Sequence, residues 1–162
     1  MPKTTFRMSL TDADISSTIK GVREYKKRLL EKEAELRRRL AELGANVASI
    51  QFSGATYDGT NDVTVRVDDT GSVAVIYAEG QAVAFIEFGS GAKYGYGHTY
   101  ADTLGMGPGT YPEGKGHWDD PNGWYYTHGQ KSYGNPPAMA MVKAVERMTE
   151  EITTIARDVF GA

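Results

Sequence analysis

Apolar residues recur through the first third of the chain at Ile15, Ile19, Val22, Leu29, Leu36, Leu40, Leu43, Val47 and Ile50. Their spacing alternates four and three once Lys26 and Glu33 are counted as polar interruptions, which is the period of one helix face. At 1.5 Å per residue, residues 22–50 alone would span roughly 43 Å. A compact domain of 162 residues has a radius of gyration of about 15 Å and so a diameter near 40 Å. A helix of that length is expected to cross the whole domain, with room to stick out of it. Gly21 and Gly44 each cost about 1 kcal/mol in a helix interior, so the stripe reads as one helix or as two pieces. Thr11 followed by Asp14 marks its start, with a hydroxyl to cap free amides and a carboxylate near the positive helix end.

A second stripe closes the chain. Met141, Val145, Met148, Ile152, Ile155 and Val159 follow at 4-3-4-3-4 spacing and stop at Gly161. Asn135-Pro136-Pro137 reads as its start, with Asn as cap and proline at the first position. This helix is expected to pack through Met141, Val145, Met148, Ile152 and Ile155 on the hairpin described next or on the first helix.

Between the helices, Val63, Val65 and Val67 alternate with polar residues. Asp68-Asp69-Thr70-Gly71 turns the chain, and Val73, Val75 and Tyr77 resume the alternation. This predicts a β-hairpin with one buried face. Residues 82–88 are apolar except for Glu87 and are either a third strand or a helical turn, since seven residues do not define a period. Residues 3–10 alternate at Phe6, Met8 and Leu10 and suggest a short edge strand.

Residues 85–91, Phe-Ile-Glu-Phe-Gly-Ser-Gly, then introduce a change of composition. Residues 89–135 hold 12 of the 19 glycines, 9 of the 17 aromatic residues and all three histidines. A structureless loop of that length is uncommon in a compact domain and is usually functional or disordered. Disordered segments are poor in aromatics, so this insertion is expected to be ordered against something. Within it, residues 117–128 look like two aromatic strand edges joined across Pro121-Asn122-Gly123.

Composition narrows the classes of function. The formal net charge of −3 offers no overall attraction to nucleic acid. Residues 23–42 do carry eight basic and five acidic side chains, which read as a solvated helix face or as a basic face meeting an acidic neighbour or DNA. A base-stacking groove should be laced with Lys and Arg, yet the insertion holds only Lys93, Lys115 and Lys131. The absence of cysteine removes disulfides and thiolate metal sites and fits a reducing compartment. No apolar run reaches about 18 residues and no signal-type h-region opens the chain, which predicts a protein kept in soluble form, with no membrane partner.

His98, His117 and His128 show no metal-ligand spacing, and Asp119-Asp120-Pro121-Asn122-Gly123 lacks the alternate ligands of a calcium loop. Phe88-Gly89-Ser90-Gly91 is not a nucleophile elbow. No catalytic residue, metal or cofactor is therefore assigned. Glycine with tyrosine and tryptophan suits a protein–protein surface, because aromatics bring contact area at small entropic cost. The same aromatics could instead cover the chain's own sheet.

The order of motifs resembles a known family. A basic helix is followed by Tyr57-Asp58-Gly59-Thr60-Asn61-Asp62-Val63, the valine hairpin and Ala84-Phe85-Ile86-Glu87-Phe88-Gly89-Ser90-Gly91. Then come a Gly/aromatic insertion with Gly123-Trp124-Tyr125-Tyr126, Gly134-Asn135-Pro136-Pro137 and a closing helix. Over residues 12–160 this is similar to the small neck proteins of long-tailed bacteriophages, the head–tail connector or tail-completion components. One departure is Ala138-Met139-Ala140-Met141, where relatives commonly carry proline and an aromatic.

The resemblance implies a structural subunit, not an enzyme, located at the virion neck and made in the host cytoplasm. Its partners would be copies of itself in a homo-oligomeric ring and the adjacent head-closure and tail-terminator or tail-tube proteins, with DNA passing through the lumen without sequence-specific contact. The implied fold is α+β, one domain with a small antiparallel sheet against two long helices. Its parts are residues 12–50 helical, 62–88 sheet, 89–135 insertion and 136–160 helix. The expected partner surface comprises Glu87, Phe88, Gly89 and Gly91 at the root of the insertion and Tyr94, Tyr96, Tyr100 and Tyr111 in its first half. Trp118, Trp124, Tyr125 and Tyr126 follow in the second half, with Asn135 and Pro136 at the far end. The alternatives are a ligand-binding module with the insertion closed on a pocket, or a cell-wall hydrolase using the insertion's histidines.

Overall fold

The computed structural model describes residues 4–7, 9, 11–57, 59–94, 97–106, 122–125 and 129–161. It is an α+β fold in which two long antiparallel helices carry a two-stranded hairpin on their shared flank.

Helix α1 (Asp12–Ser53) is a single helix of 42 residues, about 63 Å long at 1.5 Å per residue. The Thr11 hydroxyl accepts the Asp14 amide as its cap, and Asp12 and Asp14 lie in the first turn. Glu35 accepts from both Arg38 and Arg39, and Arg38 also reaches Glu42, so the exposed face is laced with i,i+3 and i,i+4 pairs. Both glycines are accommodated without a break. A Cβ on Gly44 would stand 2.6 Å from Ile76 Cδ1 and 2.7 Å from Met148 Sδ, and Gly21 faces the Phe6 ring. Asn61 closes the C-terminal end by donating to the carbonyls of Phe52 and Ala55 at 2.7 and 2.8 Å.

Strands β1 (Thr64–Asp68) and β2 (Val75–Glu79) form the expected hairpin, with Val65 opposite Ala78 and Val67 opposite Ile76. Residues directly opposite share a face. The inward set is therefore Val63, Val65, Ile76 and Ala78, while Val73, Val75 and Tyr77 face out. The second half of the hairpin thus alternates in the opposite phase to the one its valines and tyrosine suggest, because a one-residue change of phase exchanges the faces.

Residues 83–88 are helical, not part of the sheet, and form α2 (Val83–Phe88). Asp62 accepts the amides of Gln81 and Ala82 at 2.6 and 3.0 Å, fixing the entry to this turn. The described residues among 4–9 form no strand; Phe6 lies edge-on to Tyr25 instead. A short α3 (Gly91–Tyr94), a 3-10 turn (Asp102–Leu104) and the pair β3 (Trp124–Tyr125) and β4 (Lys131–Ser132) follow. Trp124–Tyr125 pairs downstream with Lys131–Ser132; the upstream arm expected across Pro121-Asn122-Gly123 lies outside the described residues.

Helix α4 (Ala140–Phe160) starts later than Asn135-Pro136-Pro137 suggests. A residue before proline is pushed out of the helical region, so Asn135 and Pro136 stay extended. The helix begins only after Met139, which has a left-handed φ of 51°. It runs back along α1, with Lys143 Nζ 2.8 Å from Gln51 Oε1 and Lys32 Nζ 2.9 Å from the Val159 carbonyl. Ala140 and Ala144 sit in the core with Ala48, Phe52, Tyr57, Ala82, Phe85 and Ile86. Tyr57 stacks on Phe85 at 4.1 Å between ring centres.

Candidate functional site

The two motifs at the ends of the insertion meet in space through Ser90 and Asn135, 45 residues apart. Ser90 donates its amide to the Asn135 carbonyl at 2.9 Å and accepts the Asn135 amide on its own carbonyl at 3.2 Å. The Ser90 hydroxyl oxygen also accepts the Asn135 amide, at 3.2 Å. The Asn135 side-chain amide donates to the carbonyl of Thr56, just past α1. Residues 91–134 therefore leave and return through one hydrogen-bonded gate fixed to the long helix.

Glycine is required at the gate by contact and by angle. Gly89 has φ of 80°, and a Cβ there would sit 2.9 Å from the Asn135 carbonyl oxygen and from the Pro137 ring. Gly134 has φ of 101°, and a Cβ there would run into the Ser90 carbonyl. Both values fall in the region that side chains avoid.

Glu87 is only 4% exposed, and both its carboxylate oxygens lie near the Met141 amide, at 3.1 and 3.2 Å. Met141 is the second residue of α4, so Glu87 caps that helix from outside it. A carboxylate there also meets the positive end of the helix dipole. Helix α2 completes the junction with two carbonyls, Ile86 accepting from Ala138 at 2.8 Å and Glu87 from Met139 at 3.2 Å. The carboxylate between Ile86 and Phe88 is thus held by a backbone amide and does not face solvent.

His98 covers this cap. Its side chain is fully buried, 4.5 Å from the Phe88 ring centre. Nδ1 accepts the Tyr100 amide at 3.1 Å, and Nε2 stands 3.5 Å from Glu87 Oε1, with no hydrogen-bond partner of its own. The arrangement places one histidine and one carboxylate side by side among packed aromatic and backbone groups. Among the described residues, no group of three or more His, Asp or Glu side chains is placed to hold a metal. His117 and His128 lie outside the described residues.

The residues singled out from sequence divide into three sets. Glu87, Gly89 and Gly91 are buried and shape the gate; enclosed in their own chain, they act on a partner only by holding other residues. Phe88, Tyr94 and Asn135 are half-buried, while Pro136, Tyr100 and Tyr125 are exposed, Tyr125 at 69%. Trp124 is placed by the backbone of β3. Tyr96, Tyr111, Trp118 and Tyr126 lie outside the described residues. Sequence reasoning missed Ser90, His98 and Gly134 as members of the junction. The signal for Ser90 and Gly134 was their position inside the two motifs; His98 carries no such signal.

No helix among the described residues is long and apolar enough to cross a membrane. Compared with known proteins, the chain matches no family model, no curated protein and no solved structure.

Proposed function

We propose that this chain is a structural subunit of a bacteriophage virion, one that forms an oligomeric ring at the neck and joins the DNA-filled head to the tail. The observation that carries the reading is the gate. Ile86-Glu87-Phe88-Gly89-Ser90-Gly91 and Asn135-Pro136-Pro137 are the most specific parts of the likeness to neck proteins, and they are built into one junction. Such a junction suits a rigid body that must present a long insertion in a fixed direction. A ring subunit needs that, because each heterologous contact joins two different surfaces. The buried Glu87–His98 pair serves as part of this frame, and no reaction is assigned to it.

The reading also accounts for apolar surface left open. Ile19, Val22, Leu30, Val73, Val145 and Ile152 are large hydrophobic residues exposed on the single chain, and sizeable exposed apolar patches mark interaction sites. The test is genetic. Particles made with Gly89→Val in place of the natural residue should accumulate filled heads and separate tails, because the insertion leaves its gate in the wrong direction. Infectious particles at normal yield from that variant would overturn the reading.

A further inference from the structure

Helix α1 outruns its partner. Lys32 meets the Val159 carbonyl and the Phe160 ring at the very end of α4. The preceding residues, 12–31, therefore form an arm of about 30 Å, against which the segment around Phe6 lies. The arm keeps the apolar face that α4 covers lower down. Ile19, Val22, Leu29 and Leu30 are all exposed on it, with Lys26 in the middle of the stripe. Five basic residues against one acidic residue lie between positions 20 and 28.

A trough of matching character runs along the body between β2 and α4. Two adjoining hollows of about 490 and 520 Å³ share Met141 and Val145. Val73, Val75 and Met148 line one, and Phe88, Tyr100 and Leu104 line the other. Val145 is 56% exposed in the middle, and Ile152, 44% exposed, continues the same α4 stripe. The charge is opposite to the arm's. Glu146 stands in the wall of one hollow, with Asp102, Glu150 and Glu151 nearby in sequence on the same elements. Of the basic residues there, Arg37 of the other hollow pairs with Asp69, Arg147 with Glu150 and Glu151, and Lys143 with Gln51.

We propose that the arm of one copy docks in the trough of the next. A chain cannot fill its own trough, since α1 is one unbroken helix and carries its arm beyond the far end of α4. An amphipathic helix laid in an apolar groove is a common recognition mode. The seven-residue step from Val22 to Leu29 equals that from Val145 to Ile152, about 10 Å on either helix, as side-by-side packing of two helices requires. Whichever way the two helices run, Lys26 then lies within one helical turn of Glu146 along the axis. The contact joins unlike surfaces, so each copy offers one arm and one trough, and the assembly propagates head to tail. The inference rests on reading the chain as a self-associating subunit and supplies the contact for it.

The experiment is to measure the mass in solution of the full chain and of two variants, Val22→Asp on the arm and Val145→Asp in the trough. Both positions are exposed, so each variant should keep the wild-type circular dichroism and melting profile. The wild type should associate, and each variant alone should lose association. An equimolar mixture should form a dimer of one Val22→Asp chain with one Val145→Asp chain, since together they retain one intact arm and one intact trough. Lys26→Glu should likewise weaken association and be rescued by Glu146→Lys. If the wild type associates and the variants do so equally, or if the mixture stays monomeric, the contact is wrong while a ring built on other surfaces stands. A wild type that stays monomeric also overturns the contact; the assembly phenotype of Gly89→Val then decides the neck reading separately.

Discussion

Glu87 and the gate glycines turn local chemistry into architecture. A carboxylate buried at 4% exposure costs free energy unless donors hold it, and here the α4 amide end provides them. Replacing Glu87 with alanine removes the cap of α4 and leaves the Met141 amide without its acceptor, at a cost of about 1–3 kcal/mol. Glu87→Gln keeps an acceptor in place and should cost less than half as much, read from the shift in urea midpoint. If the two variants were equally destabilised, charge rather than acceptor geometry would be the reason for the glutamate. The glycines offer a sharper comparison. Gly134→Ala brings a Cβ into the Ser90 carbonyl at a left-handed φ and should cost about 3 kcal/mol from strain and overpacking together. Gly129 has φ of 83° with nothing within 4 Å, so Gly129→Ala should cost only about 1 kcal/mol. Equal melting temperatures for the two would show that the gate is loose.

At the scale of elements, the helices were legible because three- and four-residue spacing survives over many turns. Yet the α4 stripe divides between two roles. Ala140 and Ala144, which the apolar stripe passes over, are the residues buried against the core, while Val145 and Ile152 face outward. Ile152→Ala should therefore cost less than about 1 kcal/mol in the isolated chain, whereas Phe52→Ala, fully buried, should cost about 3–5 kcal/mol. Thermal unfolding of both variants separates the cases. The hairpin was legible as a hairpin, but its buried face was not: Val63 and Val65 point in, Val73 and Val75 point out, and apolar type alone does not distinguish them. Asn135-Pro136-Pro137 has the local chemistry of a helix start. The tertiary bonds of Asn135 to Ser90 and Thr56, and the supply of a cap from Glu87, move the true start to Ala140. Neither effect leaves a local mark, since the partners lie 45, 79 and 54 residues away.

For the whole molecule, the long stripe from Ile15 to Ile50 correctly foretold a helix too long for its body, and the motifs at both ends of the insertion were visible one at a time. Their meeting was not, because forty-odd intervening residues carry no distance information. The assembly reading makes the chain a frame, with helix, hairpin and gate holding an arm, a trough and an insertion in fixed relation. A frame without chemistry should carry no stoichiometric zinc, and replacing His98, His117 and His128 with glutamine should remove no enzymatic activity. Elemental analysis finding about one zinc per chain would favour an enzyme. The most direct measurement of the central claim is imaging of intact particles at the head–tail junction. The expected result is a ring of density around the DNA channel into which this body fits, with the α1 arm of each copy reaching its neighbour. Density at the junction fully accounted for by other proteins, with this chain absent from the particle, would contradict the claim.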